Sequence, residues 1–285
     1  MVCIELNNIT YKYPLSDENA VENLTCKFEE GKFYGIIGEN GGGKTTICNI
    51  IRGLIPNFYK GDLTGQVKVL GKDISEWKLS ELSVKIGYVF QNPFTQISGI
   101  KETVFEEIAM GMENMGVPKE EMIEKVVSIC KTLHIEELME KDPNELSGGQ
   151  RQRVAFASII AMDTDILVID EPTSQLDPKG TEEIFEIIKV LKKAGKTIIL
   201  VEHKIDLIAE YCDEIVVMEK GKIILSGPTK DVLSRRLLPE HGVAVPQVAV
   251  LGHRLRDAGK NVKEIPVTVE EAVKVIENME GKNGD

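Results

Sequence analysis

The sequence predicts an α/β protein: a mainly parallel sheet covered by helices, with an inserted helical block and a small helical extension toward the C-terminal end. Three observations predict it. Strand patterns alternate with amphipathic helical ones through most of the chain, the arrangement that connects parallel strands. From about residue 101 to 163 the pattern is helical, so this block interrupts the sheet. The residues after about 233 change character and read as short helices. With 285 residues, 42% of them hydrophobic, the chain can build one large core plus an appendage.

The elements follow in order. Residues 2–6 and 24–28 alternate apolar and polar, and Leu24, Cys26 and Phe28 share one face of a strand. Phe33-Tyr34-Gly35-Ile36-Ile37 reads as a buried strand running into glycines. Next comes a helix with Ile47, Ile50, Ile51 and Leu54 on one stripe, ended by Gly53 and Pro56. Strands are expected at 66–70 and 86–90. In the helical block, Met122, Val126, Ile129 and Leu133 form one stripe. Strand patterns return at 165–169, 197–201, 214–218 and 222–226. Between the first two lies a helix with Ile184, Ile187, Ile188 and Leu191 inward, ended by Lys192, Lys193 and Gly195. Pro246 starts a short helix with Val245, Val248, Leu251 and Leu255 inward. Thr268-Val269-Glu270-Glu271 caps another. Glu280-Gly281-Lys282-Asn283-Gly284-Asp285 reads as a frayed tail. No internal repeat is evident.

Composition narrows the function. A net charge of −12 argues against tracking nucleic-acid phosphates, which calls for clustered Lys and Arg. No apolar run approaches the roughly 18 to 20 residues that span a bilayer. Met1-Val2-Cys3-Ile4-Glu5-Leu6 lacks a basic region followed by an apolar stretch, so no signal peptide is expected. Cys3, Cys26, Cys48, Cys130 and Cys212 contain no CxxC pair; zinc or a disulfide framework is not expected, and a reducing cytoplasm is.

Three segments carry chemistry. Gly38-Glu39-Asn40-Gly41-Gly42-Gly43-Lys44-Thr45 has the spacing of a phosphate-binding loop, between a strand and an amphipathic helix. Glycines let backbone N–H groups turn inward around phosphate oxygens, and the helix adds its positive end. Lys44 would neutralise the β- and γ-phosphates, and the Thr45 hydroxyl would hold Mg²⁺. Ile166-Leu167-Val168-Ile169-Asp170-Glu171 is a buried strand whose two acids emerge where open α/β sheets bind ligands. Asp170 would coordinate Mg²⁺, directly or through water, and Glu171 would orient and deprotonate an attacking water. Leu146-Ser147-Gly148-Gly149-Gln150 opens a long helix running through Ile160, with Ser147 as N-cap, and makes a second anion cradle.

As an ordered set these segments resemble the nucleotide-binding subunits of the ATP-binding cassette (ABC) family. In that family's terms they are the Walker A loop, the LSGGQ signature and the Walker B strand. Gln91 stands at the Q-loop glutamine, Ser174-Gln175-Leu176-Asp177 at the D-loop and His203 at the switch histidine. The resemblance covers residues 1 to about 230. It implies a P-loop NTPase core with an antiparallel β subdomain, over residues 1–232. The helical subdomain would span about 92–163 and the C-terminal extension 233–285. Each ATP would lie between the Walker A loop of one chain and the signature of another, in a head-to-tail dimer of identical or paralogous ATPases. The implied nucleotide contacts are Gly38, Glu39, Asn40, Gly41, Gly42, Gly43, Lys44, Thr45, Thr46, Gln91, Ser147, Gly148, Gly149, Gln150 and Asp177, with Tyr13 stacking on adenine. Mg²⁺ would be held by Thr45, Gln91 and Asp170; Glu171 and His203 would be catalytic. Gln175, where a small residue is common, and Gly42, where serine or alanine is usual, depart from the family pattern.

Phe90-Gln91-Asn92-Pro93-Phe94-Thr95-Gln96-Ile97 and Thr103-Val104-Phe105-Glu106-Glu107-Ile108-Ala109 further resemble the ATPases of energy-coupling factor (ECF) transporters. Those systems import vitamins or transition-metal ions such as cobalt and nickel. The implied partners are a transmembrane coupling subunit and a substrate-binding membrane subunit, at the cytoplasmic face of the cell membrane, with no nucleic acid. Glu106 or Glu107 would pair with arginines of coupling helices, or else form a solvated acidic face. The stretch Leu237 to Glu271 resembles that family's helical extension, which holds two ATPases together. The alternatives are an ATPase of another ABC transporter class, or a soluble ABC protein acting on DNA or ribosomes.

Overall fold

The computed structural model describes residues 1–280; of the frayed tail expected at 280–285, residue 280 ends a helix and 281–285 lie outside the described residues. Among the described residues ten strands form two sheets. β1 (Val2–Lys12), β2 (Val21–Glu29), β4 (Asp62–Val69) and β5 (Lys72–Asp73) make an antiparallel sheet in the order β2-β1-β4-β5. The second sheet has the order β10-β9-β3-β8-β7-β6. It contains β3 (Phe33–Gly38), β6 (Ile86–Val89), β7 (Ile166–Asp170), β8 (Thr197–Val201) and β9 (Glu214–Glu219), all parallel, and β10 (Lys222–Pro228), antiparallel at one edge.

Helices connect these strands: α1 (Lys44–Ile51), the short α2 (Leu54–Asn57) and α3 (Leu79–Ser83), then α4 (Val104–Asn114), α5 (Lys119–Thr132) and α6 (Gly148–Ala161) in the helical block. α7 (Pro178–Lys193), α8 (Ile205–Tyr211) and α9 (Thr229–Leu233) follow, and α10 (Gln247–Asp257) and α11 (Val269–Glu280) end the described chain.

Strand parity divides the core in two. On β7, Leu167 and Ile169 join the core under α7, whereas Ile166 and Val168 face α1 and the antiparallel sheet. On β3, Phe33 and Ile37 take the first side, Tyr34 and Ile36 the second. The inner strands are buried on both faces, which is why they read as unbroken apolar runs.

The expected stripes on α1, α5 and α7 face inward, with Leu54 and Met122 only partly covered. α10 departs from expectation: Leu251 is 40% exposed, and Ala249 and Gly252 are its buried residues. A side chain at Gly252 would meet Pro266 at 2.5 Å, so the helix turns its smallest residues toward the 262–266 loop and Leu251 outward. The extension also contributes Leu238, Val243 and Val267 to the main core.

Candidate active site

The phosphate loop begins where β3 ends and closes where α1 starts. Gly43 adopts φ 96°, and a side chain there would meet the Ala20 carbonyl oxygen at 2.6 Å, so only glycine fits. The first N–H groups of α1 have no intrahelical acceptors and carry the helix's positive end. Lys44 is buried, its Nζ donating to the carbonyl oxygens of Gly38 and Glu39, each at 2.9 Å. Burial pulls its ammonium below the ordinary lysine range, against the opposing pull of Glu171 and Asp170. Tyr13, Ala20, residues 40–46, Gln91 and Glu171 surround a pocket of about 480 Å³. The Tyr13 ring stands edge-on to Tyr11, centroids 4.8 Å apart, with its hydroxyl 3.2 Å from Thr46 Oγ1.

β7 sends its two acids to different places. Asp170 shares parity with Ile166 and Val168, so it faces α1. It is buried, its Oδ2 accepting a hydrogen bond from the Tyr88 hydroxyl at 3.0 Å. Burial raises the Asp170 pKa above the usual carboxylate range, while Tyr88 and Thr45 pull it back. These hard oxygen donors suit a divalent cation of the magnesium type. Among the described residues no three His, Cys, Asp or Glu side chains gather to hold a metal unaided, so such an ion would need further oxygens from a phosphate chain.

Glu171 leaves the strand with φ 45°, its N–H donating to Val201 O at 2.8 Å. Its Oε2 accepts from Gln91 Nε2 at 2.6 Å, and its Oε1 lies 2.8 Å from His203 Nε2. Buried Glu202 accepts from the His203 N–H at 2.8 Å and the Thr173 hydroxyl at 2.7 Å, which fixes the turn carrying His203. Gln91, Glu171 and His203, far apart in sequence, thus form one chain of hydrogen bonds at the pocket's edge.

The second cradle lies apart from that pocket. Ser147 Oγ accepts from Gln150 N at 3.4 Å, and Gln150 Oε1 accepts from Ser147 N at 3.0 Å, a reciprocal cap on α6. Ser147 is exposed, and nothing stands within 4 Å of where side chains at Gly148 and Gly149 would project. Asp177 does not reach the pocket either: it caps α7, its Oδ1 accepting from Gly180 N at 2.7 Å.

The two groove acids separate. Glu107 is buried, accepting from Ser98 N at 2.6 Å and Ser98 Oγ at 2.7 Å, and so is not available to a partner's arginine. Helix α4 needs that face for Val104 and Ile108, and Glu107 satisfies the loop that crosses it. Glu106 is exposed, with one oxygen on Glu102 N at 3.2 Å.

Two features escaped the sequence reading. Gly242–Ala244 line a second cavity, of about 620 Å³, with Glu39, Glu202 and His203, and Gly242 packs against the Glu39 carboxylate, which would have to move to admit a side chain there. A glycine after a short helix gave no hint of that distant contact. Tyr88 shares strand parity with Ile86 on β6, which signalled its face but not its bond to Asp170.

Comparison with known proteins adds four relationships. The family model described as "ABC transporter" matches residues 21–174. A provisionally named ABC transporter ATP-binding protein of Pyrococcus horikoshii is 41% identical over 278 residues, covering 97% of each chain. The energy-coupling factor transporter ATP-binding protein EcfA2 of Streptococcus thermophilus is 37% identical over 283 residues, covering 96% of this chain and 98% of its own. Among solved structures, cbiO1 of Clostridium perfringens, described as part of the ABC transporter complex cbiONQ, superposes with a TM-score of 0.74. It is 30% identical and covers 88% of this chain and 99% of its own.

Proposed function

We propose a transport function on one premise: this chain belongs to the ABC transporter family, as an ATP-hydrolysing cassette. In this reading it is the motor of an ECF-type importer for a vitamin or a transition-metal ion. It works with a second cassette and with membrane subunits, at the cytoplasmic face of the membrane. No described helix is long and apolar enough to cross a bilayer, so attachment rests on those partners. Similarity to EcfA2 along nearly the whole chain, extension included, favours the ECF type over other importers.

The observation that carries the mechanism is the split between the two anion cradles. The pocket holds the phosphate loop, Gln91 and Glu171, whereas Ser147 sits exposed elsewhere, with open space in front of Gly149. One chain therefore supplies each half of a site, and two chains supply two whole ones. ATP bonds to both cradles only in the closed pair and so shifts the population to closed. Moving that equilibrium from 1:99 to 99:1 takes about 5.5 kcal/mol. Several charge-assisted hydrogen bonds at roughly 1.5–3 kcal/mol each supply it.

On binding, phosphate oxygens replace the Gly38 and Glu39 carbonyls as partners of Lys44. Thr45 and Asp170, with Gln91, would hold magnesium, which when bound neutralises charge on the phosphates. His203 turns from Glu171 to the γ-phosphate. That frees Oε1 of Glu171 to accept the proton of a water whose oxygen bonds the γ-phosphorus as the bond to ADP breaks. The dimer then reopens and the membrane subunits convert the motion into import.

Glu171→Gln is expected to retain ATP binding and lose about 10²- to 10⁴-fold in turnover, measured as phosphate release. Near wild-type release would refute Glu171 as base. For the transport reading, the native chain should co-purify with a transmembrane subunit; recovery with ribosomes or DNA instead would overturn it.

A further inference from the structure

We propose that Tyr88 and Arg52 form a relay that holds the Asp170 carboxylate in place for magnesium, a role in which neither residue touches the nucleotide. The inference rests on Asp170 as the metal ligand. Asp170 is 5% exposed, on a face built from Ile166, Val168 and the apolar side of α1. A carboxylate buried there is poorly solvated and, unless something holds it, free to turn.

Tyr88 answers both problems. Its hydroxyl donates to Oδ2 at 3.0 Å, which leaves Oδ1 as the oxygen for a cation. Arg52 ends α1 and lays its guanidinium over the Tyr88 ring, 3.7 Å from the centroid. Phe90 stands edge-on to Tyr88, centroids 4.8 Å apart, and 5.2 Å from the same guanidinium.

The guanidinium is in an expensive position. Its Nη1 is buried without a hydrogen-bond partner, and burial lowers its pKa. No ion pair joins it to Asp170 among the described residues. Its compensation is the ring face and the nearby carboxylate charge, which favours the charged guanidinium. A cation on that face polarises the phenol and strengthens the bond it donates. Packing alone would be met by phenylalanine at 88 and an apolar side chain at 52; the hydroxyl and the charge are what the relay adds.

The test uses the full chain, a fluorescent non-hydrolysable ATP analogue and a magnesium titration, with analogue binding in EDTA measured alongside. Tyr88→Phe keeps the ring and volume, so the fold is retained. It is expected to raise the half-saturating magnesium concentration about 10- to 150-fold, as loss of one hydrogen bond to a charged group predicts, and to leave binding in EDTA unchanged. Arg52→Met keeps bulk over the ring and is expected to give a smaller shift of the same kind. An unchanged magnesium dependence in Tyr88→Phe, or an equal loss in EDTA, would overturn the hydroxyl's role; the same result in Arg52→Met would overturn that of the guanidinium. Asp170→Ala separates the premise: if it does not alter magnesium dependence, Asp170 is not the ligand and the relay has no object. If it does while Tyr88→Phe does not, only the relay fails.

Discussion

Lys44 carries a full charge at a position only 5% exposed, where two backbone carbonyls are its partners. In the proposed mechanism such a group serves ATP at a cost to the nucleotide-free protein. Lys44→Met is expected to raise the stability of nucleotide-free protein by about 0.5–2 kcal/mol, seen as a higher melting temperature, and to abolish ATP binding. The pH dependence has a definite sign. Burial lowers the folded pKa beneath the unfolded value of 10.5, so between the two the unfolded chain binds more protons, and stability rises with pH in that window. The variant lacks that gain. Its advantage should therefore be constant near neutrality and shrink as pH rises toward 10.5; an advantage that grows would contradict the account. The residue types at 38–45 and 170–171 could be read as a candidate phosphate site from their chemistry, whereas His203 was singled out only through the family resemblance. Their resting partners could not be read: Gln91 and His203 occupying both oxygens of Glu171 is a product of three separate chain turns.

At the scale of elements, α4 separates two acids that sequence treats alike. Successive helix positions lie about 100° apart, so Glu106 and Glu107 cannot both face a groove. Glu107→Ala leaves Ser98 N–H and hydroxyl without their acceptor and is expected to cost about 1–3 kcal/mol in chemical denaturation. Glu106→Ala should change stability by less than about 0.5 kcal/mol, and weaken attachment to a membrane subunit if that face is used. Equal stability losses would mean that the helix is rotated from its observed position. Long elements with strong periodicity, such as α7 and the strands β3, β7 and β8, could be read directly, because burial on each face dictates the residue. α10 could not. Its short apolar stripe fitted a rotation that buries Leu251, and only the close approach of Pro266 to Gly252 decides otherwise.

The whole molecule joins an acidic cassette to an extension that is less separate than its sequence suggests. Leu238, Val243 and Val267 enter the main core, and Gly242 touches the Glu39 side chain of the phosphate loop. The order of the motifs made the fold readable, since each stands at a strand end or helix start that only one topology provides. What no single chain's sequence displays is the geometry between the cradles; it emerges from α6 opening onto solvent away from the pocket.

That separation invites a mixing experiment with Lys44→Met, which breaks the phosphate loop, and Gly149→Asp, which breaks the serine-led helix tip. Each variant alone should hydrolyse almost no ATP. Combined, half the pairs are mixed and each mixed pair holds one whole site, so hydrolysis should recover to at most about a quarter of the wild-type rate. A mixture as inactive as its parts would show that nucleotide is not shared between two chains, and the mechanism would fall.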